Sequence, residues 1–117
     1  MKHLKIYHNP RCSKSRKTLQ IIRDHGVEPE VIEYLKKPPT ESELKKISNL
    51  LGLDPKHFVR RNENDFKESR LSKKISDNAA MFELMARFPK VIERPIVISN
   101  DRAIIGRPPE NVLKILT

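Results

Sequence analysis

The chain has 117 residues, 37% of them hydrophobic and 33% charged, which is enough for one hydrophobic core and excludes disordered and fibrous classes. No apolar run approaches transmembrane length, and the opening Met-Lys-His-Leu-Lys-Ile-Tyr reads as a short strand, not as a signal peptide. The net charge is +9, and residues 1–26 carry seven Lys/Arg against a single acid. Positive charge gathered there suits an anion, an acidic protein or a nucleic acid. Aromatic residues are only 5%, and no recognition helix, zinc finger or RNA-binding signature is present, so no nucleic-acid partner is expected.

In chain order, Lys2–Tyr7 reads as a strand in which Leu4 and Ile6 alternate with Lys5. His8-Asn9-Pro10 should break it, because proline lacks the backbone donor and restricts its predecessor. Helical spacing begins at about Ser13, with Leu19, Ile21, Ile22 and Val27 toward one side, and stops near His25-Gly26. Cys12, the one cysteine of the chain, therefore falls at a strand–loop–helix junction. The unpaired amides of a helix start favour negative charge, so a cysteine there is a candidate thiolate nucleophile beside an anion cradle. A small buried hydrophobe is the other reading of a lone cysteine. Arg11, Lys14, Arg16 and Lys17 favour the reactive role, since a buried structural thiol has no need of them.

Glu30–Tyr34 alternates like a second strand, parallel to the first through a right-handed crossover. Lys36-Lys37-Pro38-Pro39 is a turn, and Thr40-Glu41-Ser42-Glu43 is a capping box. The helix that follows should bury Leu44, Ile47, Leu50 and Leu51 and stop at Gly52. Asp54-Pro55 predicts a short helix carrying Phe58, Val59, Arg60 and Arg61. Residues 62–76 read as loop with a helical turn. Asp77 or Asn78 should cap a helix that runs to about Phe88, with Ala80, Met81, Leu84 and Met85 inward and Pro89 as its stop. Ile96–Ile98 and Arg102–Ile105, joined at Asn100-Asp101, form an antiparallel hairpin. Gly106-Arg107-Pro108-Pro109 leads into a last helix with Val112, Leu113 and Leu116 facing in.

The order β-α-β, helical insertion, β-β-α resembles the thioredoxin-like arrangement: one α/β domain over 1–117, a mixed four-stranded sheet, and an insertion at about 40–90. In that fold a nucleophilic cysteine follows the first strand, and the proline before the third, here Pro95, is a cis candidate facing it.

The motifs that carry a family likeness are Tyr7-His8-Asn9-Pro10 with Cys12, Ser15 and Arg16; Tyr34-Leu35 before Pro38-Pro39; Val59-Arg60-Arg61-Asn62; Arg94-Pro95-Ile96-Val97; and Gly106-Arg107-Pro108. Over nearly its whole length the chain resembles the glutaredoxin-coupled arsenate reductases of the ArsC class. It is most similar to their short relatives with Arg-Cys-Ser-Lys-Ser-Arg. The single cysteine rules out an internal disulfide framework and fits a reducing cytosol, a monomer is expected, and the resemblance implies an oxidoreductase that acts on arsenate or a similar oxyanion. It implies Cys12 as nucleophile, Arg60, Arg94 and Arg107 as oxyanion-binding arginines, and His8, Ser15 and Arg16 as residues that activate the thiol or order its loop. Guanidinium groups suit that task because they pair in a planar fork with such oxygens and keep their charge.

The resemblance also implies a route of turnover with no bound cofactor. The Cys12 thiolate attacks arsenic(V), and glutathione, as external reductant, attacks the adduct. Glutaredoxin then resolves the Cys12–glutathione disulfide. A lone cysteine suits that route, since no second thiol is at hand. Two features depart from the better-studied reductases: Ser13-Lys14 stand between Cys12 and Ser15, and the chain stops at Thr117.

Three other functions fit parts of the sequence. A phosphatase-like reductase needs Cys-x5-Arg, but that arginine position is Thr18. An RNA polymerase-binding regulator of the same fold with a disulfide switch needs Cys-x-x-Cys, here Cys12-Ser13-Lys14-Ser15, although a thiol-independent binding module is left open. A general glutathione-dependent thiol oxidoreductase is the third. His3, His8, His25 and His57 have no metal-ligand spacing, and no metal is expected.

Overall fold

The computed structural model describes residues 3–116, so the Lys2 end of the first expected strand lies outside the described residues. The chain forms two compact units, one running up to Lys37 and resuming at Arg94, the other Pro38–Glu93.

The first unit holds the sheet. Its strands are β1 (Lys5–His8), β2 (Glu30–Glu33), β3 (Ile96–Ile98) and β4 (Ala103–Ile105), in the order β2-β1-β3-β4. β1 is parallel to β2, with Lys5 opposite Glu30 and His8 opposite Glu33. β3 is antiparallel to both β1 and β4, with Tyr7 opposite Ile96 and Ile96 opposite Ile105. This mixed four-stranded sheet with its crossover helix is thioredoxin-like. His8 is the last strand residue, not the first of the break, because its backbone pairs with Glu33 and the chain turns only at Asn9-Pro10.

Helix α1 (Ser13–Asp24) is amphipathic and ends where Gly26 takes φ 78°, in the left-handed region that glycine enters without a steric cost. It buries Leu19 and Ile22 against Leu4, Ile6 and Val97 of the sheet side and Val112 and Ile115 of the C-terminal segment. That segment is a 3-10 turn (Pro109–Val112) that passes into a short helix (Leu113–Leu116), not one continuous helix. The tighter turn shifts the inward face, so Val112 and Ile115 are buried while Leu113, expected inside, is exposed. Arg102 precedes β4 and does not join it. Its carbonyl accepts from Ser99 at 2.8 Å and closes the hairpin.

The second unit is helical. α2 (Glu41–Leu51) begins with the expected capping box, in which Glu43 N–H donates to Thr40 Oγ1 at 3.1 Å and the Glu43 carboxylate takes the Thr40 amide. It buries Leu44 and Ile47, whereas Leu50 and Leu51 are only half-buried; Ser48 is buried instead and donates to the Leu53 carbonyl. The turn after Asp54 is a 3-10 segment of Pro55–His57 only. Phe58, Val59, Arg60 and Arg61 lie beyond it: Val59 makes an isolated antiparallel bridge with Ile92, which holds this stretch out of helical form. Within 62–76 lie a four-residue helix, α3 (Asn64–Lys67), and a 3-10 segment (Arg70–Lys74). Helix α4 (Asn78–Arg87) is capped by Asp77, whose carboxylate accepts from Ala80 N–H at 3.2 Å. It buries Met81, Leu84 and Met85 and packs against α2 and the 3-10 segments Pro55–His57, Arg70–Lys74 and Pro89–Val91, the last of which begins at the proline expected to stop the helix.

Candidate active site

Strand register defines one end of the sheet. β1 runs out at His8, β3 starts just after Arg94-Pro95, and β4 ends just before Gly106-Arg107. All three strand ends point the same way, so Arg94, Arg107 and the loop bearing Cys12 share that end.

Cys12 is the N-cap of α1, with extended φ/ψ and a side chain that caps no amide. It is partly exposed. Its N–H donates to the Asn9 carbonyl and its carbonyl accepts from Arg16 N–H, each at 3.0 Å. The amides of Ser13, Lys14 and Ser15 therefore precede the first intrahelical bond and present the positive end of the helix dipole beside the thiol. The first turn of α1 carries no acidic side chain, whereas α2 fills the same position with Glu41 and Glu43.

His8, Ser15 and Arg16 hold the loop. Ser15 is fully buried, and its Oγ accepts from Asn9 N–H at 3.1 Å and lies 2.6 Å from His8 Nδ1. In the neutral Nε2–H tautomer the hydroxyl donates to Nδ1 while its oxygen accepts from the Asn9 amide, so Ser15 Oγ is used both as donor and as acceptor. Burial pushes His8 below the ordinary histidine value of 6.5; Glu33, opposite it in β2, opposes that, and Arg23 and Arg16 reinforce it. Arg16 donates from Nη1 to the Pro10 carbonyl at 3.0 Å, a contact that ties the loop to the helix it precedes.

Arg94 and Arg107 are both half-buried and adjacent: Arg107 Nη1 lies 3.5 Å from the Arg94 carbonyl, and Gly106 N–H donates to the Pro95 carbonyl at 2.9 Å. The Arg94–Pro95 bond is cis, and so is Arg107–Pro108, which the sequence reading does not anticipate. Arg60 belongs to the second unit. Its Nη1 lies 2.6 Å from a Glu63 carboxylate oxygen and its Nε 3.7 Å from one of Glu93.

Sequence reasoning misses Asn9, Thr18, Gly106 and the acids around Arg60. Asn9 accepts the Arg11 amide on its side chain at 3.0 Å, a turn signal that Asn-Pro carries in sequence. Arg60-x-x-Glu63 is an i,i+3 pair visible in sequence, but Glu93 is brought to Arg60 only by folding. Among the described residues no group of three or more His, Cys, Asp or Glu is disposed to hold a metal ion. No helix there is long and apolar enough to cross a membrane.

Fold and site together define a thioredoxin-like protein with a single thiol at a helix N-cap. Residues 7–115 match the ArsC family model, and the chain belongs to the ArsC family. It is 45% identical to the uncharacterized protein YfgD of Escherichia coli K12 over 98% of each chain. It is 44% identical to an arsenate reductase of Neisseria meningitidis, covering 99% of this chain and 100% of that one. The solved arsenate reductase from Vibrio cholerae superposes with a TM-score of 0.92 at 45% identity, over 97% of this chain and 98% of that one.

Proposed function

We propose that this protein is a cytoplasmic arsenate reductase that works through Cys12 with glutathione and glutaredoxin as the recycling thiols. The observation that carries this reading is Cys12 at the N-cap of α1, at the same sheet end as Arg94 and Arg107, in a chain that has relatives named arsenate reductase. Arsenate is a tetrahedral oxyanion with one to two negative charges near neutral pH. The amides that open α1 and the guanidinium groups of Arg94, Arg107 and Arg60 are donors suited to its oxygens.

Turnover runs in three steps. The Cys12 thiolate forms a bond to arsenic(V), and an arsenate oxygen leaves as hydroxide or water. A glutathione thiolate then attacks Cys12 sulfur; the sulfur–arsenic electron pair goes to arsenic, which departs as arsenite, and Cys12 is left as a mixed disulfide with glutathione. Glutaredoxin exchanges that disulfide and releases the thiol. An external thiol is required because the chain has one cysteine.

The test is NADPH consumption with arsenate, glutathione, glutathione reductase and glutaredoxin. Wild-type protein is expected to turn over and Cys12→Ser to be inactive. Equal turnover by the two, or turnover of a small mixed disulfide but not arsenate, overturns the reading.

A further inference from the structure

The guanidinium of Arg60 has two edges that can hold an oxyanion in bidentate fashion, one formed by Nε and Nη2 and the other by Nη1 and Nη2. A carboxylate faces one donor of each edge. Glu63 lies 2.6 Å from Nη1, and Glu93 lies 3.7 Å from Nε. The Arg60 and Glu63 side chains are 25% and 31% exposed, and that of Glu93 27%, so water screens this cluster less than it screens a surface pair. Both carboxylates thus face the one guanidinium, while the neighbouring Arg61 is exposed and donates to the Lys56 carbonyl at 3.2 Å.

From this geometry we infer that Glu63 is a tethered competitor for the oxyanion: it occupies Arg60 in the resting protein and sets the oxyanion concentration needed for binding. The inference rests on the reading above in which Arg60 is an oxyanion ligand. Carboxylate and arsenate oxygens seek the same N–H donors, so an arriving oxyanion gains the Arg60 fork only as the Glu63 bond is given up. Glu63 is suited to that exchange. It sits three residues from Arg60 at the N-cap of the four-residue helix α3, where its side chain caps no amide, and it can swing away without unmaking a helix. Glu93 contributes less, because 3.7 Å is an ion-pair distance and not a hydrogen bond. Glu63 is thereby a specificity-determining residue for charge and affinity, and not a catalytic one.

The experiment measures kcat and KM for arsenate in the coupled assay, and arsenate affinity by titration calorimetry on Cys12→Ser protein, for wild type, E63Q, E93Q, R60A and R60A/E63Q. E63Q is expected to lower KM and Kd roughly threefold to tenfold, with kcat held within about twofold, the scale of a half-buried ion pair. E93Q should move both in the same direction by less. In the R60A background E63Q should change nothing, because its effect runs through Arg60. An unchanged or raised KM in E63Q, or an equal effect in R60A, overturns the inference while leaving the reductase reading intact. Wild-type protein that neither binds nor reduces arsenate overturns both.

Discussion

The Ser15 hydroxyl oxygen lies 2.6 Å from Nδ1 of His8, with both side chains buried beneath the loop that carries Cys12. The geometry is complete only while the imidazole is neutral: protonation puts a hydrogen on Nδ1, and the hydroxyl of the buried Ser15 then loses its acceptor. Burial accordingly holds His8 below 6.5 in the folded protein. The unfolded chain therefore binds more protons than the folded chain between the folded value and 6.5, so stability rises with pH across that window. It is fully present above 6.5 and is lost as pH falls through the folded value. Urea unfolding midpoints measured from about pH 5 to 7 should show this slope, and His8→Gln should flatten it. An identical slope in the variant would assign the dependence to other groups.

Ser15→Ala should destabilise the fold by about 1–3 kcal/mol, because it strands a buried ring nitrogen and the Asn9 amide at once. Thermal unfolding reads the loss. Ser15→Cys, which keeps a weak donor, should recover little of it.

Gly106 has no room for a side chain. A Cβ there would lie 2.5 Å from Thr18 Oγ1 and 2.8 Å from Pro95 Cγ. Thr18 is itself fully buried, with its hydroxyl donating to the Lys14 carbonyl at 2.8 Å, so it cannot turn aside. Gly106→Ala should cost about 1–3 kcal/mol by overpacking. It should also lower activity, since Arg107 is the next residue. Thr18→Ala in the same chain should return part of the stability and leave the Pro95 contact, and a double-mutant cycle by denaturant unfolding measures the coupling.

Thr40→Ala removes the reciprocal cap of α2 and should cost about 1 kcal/mol, with kcat and KM for arsenate unchanged. It serves as the control for a purely structural loss in the second unit. A change in KM would mean that the α2 start communicates with oxyanion binding.

Arg94→Ala and Arg107→Ala should each lower kcat/KM for arsenate by about 10²–10³-fold, the scale of losing one preorganised donor. Far-UV circular dichroism should stay native for both, to separate a lost donor from a lost fold. Lysine at either position should restore only part of the activity, because a point charge does not replace a planar fork.

Several elements were legible because their causes are local. The capping box at Thr40–Glu43, the Asp77 cap, the Gly26 stop and the hairpin turn at Asn100-Asp101 each depend on residues within a few positions of one another. Local patterns misled where a distant partner intervened. Phe58–Arg61 followed a good helix start, yet pairing of Val59 with Ile92 drew the chain into an extended path. Leu113 looked inward on a regular helical repeat, and the 3-10 turn before it changed the phase.

The amino-acid sequence by itself determined the β-α-β, helical, β-β-α order and the position of one thiol at a helix start, because cap chemistry and periodicity are properties of neighbouring residues. Only the tertiary structure decided that Arg94 and Arg107 lie side by side at the Cys12 end of the sheet, that His8 is buried against Ser15, and that Glu93 joins Glu63 at Arg60. The first depends on strand register and the last on the Val59–Ile92 bridge, which join residues far apart in the chain, and the second depends on burial, which only folding creates.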